Sequence, residues 1–387
     1  MASYLNAYSQ TAIKLIESYD GKKPLHYYLK GYFAQNKKHG SKDRKNITQL
    51  CYNYYRLGHA LKEKPVAERL KIGFFLCNQY QPAFDNFFEP NWTAHWKSDL
   101  DSRITFIKEL YPSFTLQTVF PFQHALSNGI DAVAFSKSQF VQPDLFLRIR
   151  PGHTLPVKQK LVDLPFNALS DTSIALPNNT KLEDKLQLNK EAVIQDYSSQ
   201  RIAEFIQLVP AEKQLKVWDC CAASGGKSIL AYDVLKNIHV TVTDVRASIL
   251  HNLEKRFLEA GIKNYVAFQS DLSKPVNIRE QFDLIICDVP CSGSGTWART
   301  PEALYSFEEK EIETFSHLQQ KIASEALKHL NPNGYFLYIT CSVFQKENET
   351  VVAHLVQNLS VEIIKASVIT GYEQKADTMF AALLKRV

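Results

Sequence analysis

Short apolar segments alternate with helical segments over residues 215–340, and this alternation restricts the fold more than any other feature of the chain. Strand-like segments cover residues 215–219, 239–244, 265–268, 282–288 and 335–340, and helical segments cover residues 226–236, a stretch ending near 261, and 307–330. Such alternation is typical of βαβ units, in which helices cover both faces of a parallel sheet. We therefore predict an α/β fold with a doubly wound, Rossmann-like sheet in residues 193–387, whose ligand lies at the carboxyl ends of the strands.

The first 192 residues have a different character from the rest of the 387-residue chain. Residues 1–140 show apolar positions at helical spacing, which predicts a helical domain. Residues 1–71 carry 14 Lys and Arg against 5 Asp and Glu, a net charge of +9, whereas the whole chain has +5. A basic region on a mildly acidic body favours a polyanionic partner, although a merely solvated basic face is an equal alternative. For residues 141–192, short strand-like and helical segments predict a small α+β subdomain.

Composition excludes several classes of protein. Apolar residues make up 45% of the chain and charged residues 22%, which is ordinary for a globular protein. We find no run of about 18 apolar residues and no basic segment followed by an apolar block at the start, so we expect neither a membrane span nor a secretory signal. The seven cysteines lack the paired spacing of a zinc site. We therefore expect a cytoplasmic protein without a metal.

Residues that suit a nucleoside cofactor follow the first three predicted strands. The first strand leads into residues 219–228, a loop of small residues with two glycines that allow close approach of a ligand to the backbone. This loop is not a phosphate loop, because Cys221 stands where that motif needs glycine. Asp244, at the end of the second strand, is placed to accept the ribose hydroxyls, and Asp271, after the third, is placed near an adenine edge.

Two cysteines follow the fourth and fifth predicted strands. Cys291 lies in a Ser- and Gly-rich loop after the fourth strand, and Cys341 directly follows the fifth. Because these strands are neighbours in a doubly wound sheet, we expect the two thiols to lie close together beside the cofactor. The alternatives are two small buried hydrophobic residues, the commonest fate of free cysteines, or a disulfide. Because both cysteines lie in polar loops, and reactive thiols need such an exposed setting, the sequence favours reactive thiols over these alternatives.

These motifs resemble the Sun/RsmB-type family of RNA cytosine-C5 methyltransferases. The family's cofactor loop, D-x-C-A-A-P-G-G-K-[TS], matches residues 219–228 except that Ser224 replaces the proline. Its D-A-P-C-S-G-x-G motif matches residues 288–295 except that Val289 replaces the alanine. Its T-C-S motif matches residues 340–342, followed by Glu-Asn-Glu at 347–349. The resemblance covers residues 193–387. It also implies that the predicted sheet is a methyltransferase sheet.

The resemblance assigns roles to the residues at the strand ends. It implies that Cys341 attacks carbon 6 of a cytosine, that Cys291 assists release of the product, and that Asp288 holds the base. It further implies that S-adenosylmethionine is bound by Cys221, Ala222, Ala223, Ser224, Gly225, Gly226, Lys227, Asp244, Asp271 and Asp288. Two cysteines at neighbouring strand ends suit this chemistry, because a covalent adduct must form and then be released.

The expected partner is RNA. The sequence favours ribosomal RNA and leaves transfer RNA open, and we expect a monomer. Candidate RNA contacts are Lys37, Lys38, Lys42, Arg44, Lys45 and Arg299. For Arg299 an ordinary surface ion pair is an equal alternative. Two other functions remain open at this point: methylation of DNA, whose cytosine-C5 enzymes use a Pro-Cys loop like that of Pro290 and Cys291, and a non-catalytic RNA-binding role.

Overall fold

The computed structural model describes residues 2–387, which form 16 α-helices and 11 strands. The helices are α1 (Ala2–Ser18), α2 (Leu25–Gln35), α3 (Ser41–Arg56), α4 (Val66–Cys77), α5 (Pro90–Trp96), α6 (Leu100–Leu110), α7 (Leu116–Val119), α8 (Ala132–Ser138), α9 (Thr154–Lys160), α10 (Tyr197–Arg201), α11 (Ala203–Ile206), α12 (Gly226–Leu235), α13 (Ala247–Ala260), α14 (Pro301–Ser306), α15 (Lys310–Leu327) and α16 (Glu349–Asn358). The strands are β1 (Leu145–Ile149), β2 (Asn167–Ala168), β3 (Ser173–Leu176), β4 (Ala192–Ile194), β5 (Leu215–Asp219), β6 (Ile238–Asp244), β7 (Tyr265–Gln269), β8 (Phe282–Asp288), β9 (Leu330–Thr340), β10 (Val361–Ile369) and β11 (Met379–Arg386).

The chain divides into two compact units. The first unit comprises residues 1–124, 131–142 and 297–308, and the second comprises residues 125–130, 143–296 and 309–387. Residues 297–308, which the sequence groups with the predicted methyltransferase domain, thus belong to the helical unit. The three-part division drawn from the sequence stays a prediction.

The first unit is built from helices around an aromatic core. Helices α1 to α8 and α14 belong to it, and its core includes Phe74, Phe75, Trp96 and Phe106. Aromatic side chains bury a large apolar area each, so a modest number of them stabilises a unit of short helices. The helical character predicted for the N-terminal region is confirmed. No helix among residues 2–387 has the length and apolarity needed to cross a membrane.

A seven-stranded, mostly parallel sheet forms the centre of the second unit. Its strand order is β10-β11-β9-β8-β5-β6-β7, and only the pairs that involve β11 are antiparallel. Helices α12 and α13 pack on one face, and α15 and α16 pack on the other. Successive residues of a strand point to opposite faces, so Val217 joins the first core and Trp218 the second. The predicted α/β fold is confirmed.

The strand order determines where the loops of interest lie. The chain runs from β5 outward through β6 to β7 and then returns to the other side of β5 with β8. The direction of winding therefore reverses between β5 and β8. In open α/β sheets, ligands bind beyond the carboxyl ends of the strands at this point of reversal. The loops after β5, β6, β8 and β9 all lie at this edge.

Residues 145–194 form a four-stranded antiparallel sheet with the order β2-β3-β1-β4. A buried ion-pair cluster joins this small sheet to the seven-stranded one. The Asp233 carboxylate on α12 accepts hydrogen bonds from Arg148 Nη1 at 2.6 Å and from Arg150 Nη2 at 2.7 Å, both on or next to β1. Arg150 also donates to the Ala260 carbonyl at the end of α13. The two guanidinium groups thus satisfy acceptors on two different helices.

Replacement of Asp233 by asparagine tests this connection. The change leaves two buried guanidinium groups without their counter-charge, and breaking a buried ion pair from one side costs about 3–5 kcal/mol. We expect the free energy of unfolding, measured in urea, to fall by that order. The control is Glu280→Gln, which breaks an exposed pair with Lys216 and is expected to cost less than about 1 kcal/mol. Equal effects of both changes would contradict a structural role for the buried cluster.

Candidate functional site

The loop after β5 turns sharply toward α12, and its conformation depends on Gly225. Gly225 has φ of 81°, and a Cβ at this position would lie 2.8 Å from Phe257 Cε1 and 3.0 Å from Leu253 Cγ on α13. A glycine is therefore required both by the backbone angle and by the packing. Ala223, two residues earlier, also has a positive φ of 46°. The loop is thus held in a compact turn against the sheet.

Ser224, which replaces the proline of the resembling family, is fixed by a neighbouring arginine. Arg256 Nη1 donates to the Ser224 carbonyl at 2.8 Å and to Ser224 Oγ at 2.7 Å, and Arg256 Nε donates to Asn189 Oδ1 at 3.0 Å. A proline restricts the backbone by itself, whereas here a side chain of α13 restricts it through hydrogen bonds. The departure from the family motif therefore leaves the loop well anchored.

Asp219, the last residue of β5, is a fully buried carboxyl group beneath this loop. Its Oδ2 accepts a hydrogen bond from Ser228 Oγ at 2.6 Å, and its Oδ1 has no hydrogen-bond partner in the described part of the chain. Burial raises the pKa of Asp219 to about 7, and the hydrogen bond from Ser228 only partly opposes this. A buried carboxyl oxygen without a donor fits a ligand that brings an amino group or another donor to the loop.

Asp244, at the end of β6, lies under the same loop. Its Oδ2 accepts from the Ala223 amide at 3.0 Å, and its Oδ1 accepts from the amide and the side chain of Arg246 at 2.9 and 3.0 Å. Burial alone would raise the pKa of Asp244, but the hydrogen bonds from Arg246 outweigh it and the pKa is lowered. Asp244 is therefore a charged acceptor, with an exposed arginine as its present partner. Such an acceptor suits ribose hydroxyls once Arg246 moves aside.

Asp271 has a more local role in this structure. Its Oδ1 accepts from the amide and the hydroxyl of Ser273, at 3.1 and 2.6 Å, and Lys274 pairs with its Oδ2 at 3.1 Å. These contacts stabilise the turn that follows β7. The sequence places Asp271 near a cofactor base, and that role stays a prediction.

Lys227 and Asp288 connect the loops after β5 and β8. Lys227 Nζ donates to Asp288 Oδ2 at 3.0 Å and to Ser199 Oγ at 2.8 Å. Of the remaining predicted cofactor residues, Cys221 and Ala222 lie in the loop between β5 and α12, and Gly226 is the first residue of α12. Cys221 is half-buried and Ala222 is buried. The predicted cofactor residues are therefore together at the reversal point of the sheet, apart from Asp271, whose carboxylate is engaged by its own turn.

The two cysteines predicted to carry the chemistry lie side by side. Cys291 Sγ and Cys341 Sγ are 3.2 Å apart, and both residues are half-buried. The thiol–thiol contact, together with burial, raises the pKa of Cys291 well above its ordinary value. Either sulfur is able to donate in this contact, and the raised pKa favours the protonated form of Cys291.

A buried carboxylate, Glu347, holds the two cysteine loops together. Its Oε1 accepts from Ser342 Oγ at 2.6 Å, next to Cys341, and its Oε2 accepts from the Ser292 amide at 2.9 Å, next to Cys291. Gln319 Nε2 on α15 donates to the same Oε2 at 2.7 Å. Glu347 therefore has three donors for two oxygens and fixes both loops relative to α15.

The next residue, Asn348, reinforces the Cys341 loop from within. Its Nδ2 donates to the Ser342 carbonyl at 2.9 Å and to Ser127 Oγ at 2.8 Å, and its Oδ1 accepts from Thr340 Oγ1. The sequence reasoning assigned no contact to Glu347 or Asn348, although it noted the Glu-Asn-Glu run. Their position a few residues after a cysteine was the available signal.

The loop that carries Cys291 passes very close to two other chain segments at Gly295. The Gly295 amide donates to the Cys341 carbonyl at 2.8 Å, and the Gly295 carbonyl accepts from the Thr378 amide at 3.0 Å. A Cβ on Gly295 would lie 1.8 Å from the Thr378 carbonyl oxygen, which no side chain can tolerate. The Cys291 loop is thus pinned between the ends of two strands.

Replacement of Gly295 by alanine is expected to displace this loop. Overpacking of this kind costs about 1–3 kcal/mol, and the shift separates the two sulfur atoms. The melting temperature and the reactivity of Cys291 and Cys341 toward a thiol reagent measure the two effects. The control is Gly31→Ala in α2, where an added Cβ meets nothing within 4 Å and helix propensity favours alanine. A melting temperature of Gly295→Ala equal to that of the unmodified protein would contradict the close approach.

The raised pKa of Asp219 predicts a specific dependence of stability on pH. In the unfolded chain this carboxyl group titrates near its ordinary value of 3.8, whereas in the folded protein it titrates near 7. The folded state therefore binds the extra proton between about pH 4 and pH 7, and stability falls as the pH rises through this range. The loss amounts to about 1.4 kcal/mol for each unit of pKa difference.

Asp219→Asn removes this titration and keeps the acceptor for Ser228. We expect the variant to lose the corresponding slope between pH 4 and pH 7 in urea unfolding and to gain stability relative to the unmodified protein at pH 8. Ser228→Ala is the control, since it removes the hydrogen bond but keeps the titrating group. An identical pH slope in the Asp219 variant and the unmodified protein would show that Asp219 is ionised at neutral pH.

The predicted RNA-contacting residues belong to the first unit. Lys37, Lys38, Lys42 and Lys45 are exposed, whereas Arg44 Nε donates to the His39 carbonyl at 2.8 Å and so contributes to local structure. Arg299 precedes α14 in the same unit. No cluster of His, Cys, Asp or Glu able to hold a metal occurs among the described residues. The contacts of these basic residues with RNA stay predictions.

Two solved structures share the fold of this chain. The crystal structure of PH0851 matches with a TM-score of 0.72 at 18% identity over 98% of both chains. A methyltransferase homolog protein from Pyrococcus horikoshii matches with a TM-score of 0.59 at 20% identity, over 73% of this chain and 98% of that one. Sheet topology, strand-end site and these neighbours define a Rossmann-like methyltransferase fold.

Sequence comparison matches the C-terminal part of the chain to one family. Residues 205–384 match the model of the family described as 16S rRNA methyltransferase RsmB/F. The 28S rRNA (cytosine-C(5))-methyltransferase of Mus musculus is 29% identical over 43% of this chain and 21% of its own length. Ribosomal RNA small subunit methyltransferase B of Shewanella oneidensis is 30% identical over 52% of this chain and 49% of its own length. The chain thus spans about half or less of the curated relatives that it matches.

Proposed function

We propose that the protein transfers a methyl group from S-adenosylmethionine to carbon 5 of a cytosine in RNA. The observation that carries this proposal is the pair of thiols, 3.2 Å apart, at the ends of neighbouring strands beside Asp288. Methyl transfer to a nitrogen or oxygen atom needs no nucleophilic cysteine, whereas carbon 5 of cytosine must first be activated by a covalent bond at carbon 6. Curated relatives are named as a 28S rRNA (cytosine-C(5))-methyltransferase and as ribosomal RNA small subunit methyltransferase B, which favours ribosomal RNA as the substrate. A cytoplasmic location, expected from the sequence, is part of the proposal.

The cofactor residues suit this role. S-adenosylmethionine supplies an electrophilic methyl group when it is bound. The charged carboxylate of Asp244 offers acceptors for ribose hydroxyls, and the unpartnered Oδ1 of Asp219 offers an acceptor for an amino group. The compact turn at Ala223 and Gly225 lets the backbone approach a ligand closely. Hydrogen bonds that a ligand donates to a charged carboxylate of this kind are worth about 1.5–3 kcal/mol each.

The two cysteines divide the covalent chemistry between them. The Cys341 thiolate forms a bond to carbon 6, and the displaced electron pair makes carbon 5 nucleophilic. After carbon 5 gains the methyl group, its proton must leave, and the bond between Cys341 and carbon 6 then breaks as the ring double bond returns. Cys291, whose sulfur contacts Cys341, is placed to take part in this release once it has lost its own proton. Asp288, the last residue of β8, is placed to hold the base.

The order of roles follows from the electrostatics of the pair. The Cys341 contact and burial raise the pKa of Cys291, and the negative charge of Glu347 adds to the effect. A thiol that keeps its proton is a poor initial nucleophile, so Cys341 is the better candidate for the first attack. The Pro-Cys loop that DNA cytosine-C5 enzymes use would give Cys291 that role instead.

Substitution of each cysteine separates these possibilities. Cys341→Ala is expected to abolish both methylation and any covalent protein–RNA complex, because no thiolate remains to attack carbon 6. Cys291→Ala is expected to block turnover after the attack, so a complex that resists denaturation accumulates. The measurement is a denaturing gel after incubation with an rRNA transcript and S-adenosylmethionine, with bisulfite sequencing of the RNA.

Two further samples complete this experiment. The double variant is expected to show no covalent complex, and Cys77→Ala, in α4, serves as a control with unchanged methylation. A complex in Cys341→Ala and none in Cys291→Ala would mean that the roles are exchanged. Methylation retained in both single variants, with no complex in either, would overturn the covalent mechanism. A DNA oligonucleotide methylated in preference to RNA would overturn the substrate.

A further inference from the structure

The first unit contains a cavity of about 570 Å³, a size ordinary for small-ligand sites. Three parts of that unit line it: the end of α1 with the loop that follows, helix α3, and helix α14. The lining residues used below are Tyr19, Asp20, Lys22, Lys23, Tyr55 and Glu302. The cavity therefore combines an aromatic wall, two cations and two carboxylates, and Asp20 pairs with Lys22 at 3.3 Å.

Glu302 is the unusual residue of this cavity. Its exposed fraction is only 7%, and its Oε1 accepts a hydrogen bond from the Leu25 amide at 3.0 Å. Its Oε2 is buried and has no hydrogen-bond partner within the described residues. Burial raises the pKa of Glu302, and the Leu25 hydrogen bond and nearby His26 and Arg56 oppose this rise. Because a buried acceptor without a donor is destabilising, a ligand that brings a donor is favoured here.

Tyr19 offers an aromatic surface in the same cavity. Its ring is half-buried, and its hydroxyl donates to the Lys23 carbonyl at 2.7 Å, which fixes the ring direction. The ring centroid of Tyr55 lies 5.8 Å away in an edge-to-face contact, and that of Tyr28 lies 5.2 Å away with its ring tilted. Neither neighbouring ring is therefore stacked parallel to the ring of Tyr19. A flat ligand is able to stack on such a face. Stacking of this kind contributes strongly to the binding of unpaired bases.

We propose that this cavity binds an unpaired guanine nucleotide of the RNA substrate. The base stacks on Tyr19 and turns its donor edge toward Glu302, while Lys23 attracts a flanking phosphate. Lys22 is paired with Asp20 and contributes less. A charged carboxylate only accepts hydrogen bonds, and guanine presents two adjacent donors, N1–H and the N2 amino group. Adenine and cytosine present one amino donor beside an acceptor nitrogen, and uracil presents one donor between two acceptor oxygens. The proposal rests on RNA as the substrate.

The test measures base preference with short RNA. Fluorescein-labelled heptamers of uridine that carry guanine, adenine, cytosine or uracil at the central position are titrated with the full chain, and binding is followed by anisotropy. We expect the guanine heptamer to bind about tenfold or more tightly than the all-uridine one, the range of a two-bond base contact. Glu302→Gln keeps an acceptor for the Leu25 amide but presents an amide to the base, so it is expected to remove this preference.

Matched variants separate recognition from folding. Glu109→Gln removes the same charge from an exposed position of α6 and is expected to keep the preference. Tyr19→Leu removes the stacking surface and is expected to lose it, whereas Tyr19→Phe keeps the ring and is expected to retain it. Circular dichroism confirms the fold of each variant. A guanine preference unchanged in both Glu302→Gln and Tyr19→Leu, or absent from the unmodified protein, would overturn the proposal.

Two further measurements distinguish this proposal from related ones. Free GMP is titrated by equilibrium dialysis, and binding as tight as that of the guanine heptamer would overturn RNA as the source of the nucleotide. Methylation of rRNA is measured with the same preparations. If rRNA is methylated but guanine is not preferred, only the proposed guanine site in the cavity is rejected. If guanine is preferred in a way that depends on Glu302 but no RNA is methylated, the guanine site is supported and the proposed function is rejected.

Discussion

The geometry of the candidate active site depends on one buried charge, the carboxylate of Glu347. A carboxylate in a protein interior is tolerated only when hydrogen bonds replace its lost water, and here the Ser342 hydroxyl, the Ser292 amide and the Gln319 side chain do so. The same bonds hold the two thiols near each other. Two of the donors are the residues that directly follow the cysteines: Ser292 follows Cys291, and Ser342 follows Cys341. Stability and reactivity of this site are therefore linked through a single side chain.

The sequence was sufficient to predict which residues lie together at the carboxyl ends of the strands. Parallel strands bring their carboxyl ends to one edge, so Asp219, Asp244, Asp288 and the two cysteines had to meet once the strand order was right. The antiparallel extension of the sheet by β10 and β11 escaped prediction, because exposed apolar positions such as Ile363 and Ile364 weaken the alternation in β10. The start of β9 at Leu330 also escaped, since its first residues, Asn-Pro-Asn-Gly, have the composition of a turn.

Side-chain partnerships were beyond the reach of local patterns. Arg246 covers Asp244, Lys227 pairs with Asp288, and Asp271 is used by its own turn, and each of these depends on where rotamers point in the folded chain. The grouping of residues 297–308 with the helical unit has the same origin, because contacts distant in sequence decide it. The cavity at Glu302 arises from this grouping, since its lining comes from α14 as well as α1 and α3.

The anchoring of Ser224 by Arg256 has an evolutionary consequence. In the family motif a proline makes the loop rigid through its own ring, and no other residue is needed. Here the loop is held by hydrogen bonds that Arg256 donates to Ser224 and Asn189. The effect of a substitution at any one of these residues therefore depends on the other two. Introducing the family's proline at position 224 would leave the guanidinium of Arg256 with fewer acceptors, and losing Arg256 would leave the loop at Ser224 free to move. Substitutions at these three positions should consequently show epistasis, and relatives should vary at them together rather than one at a time.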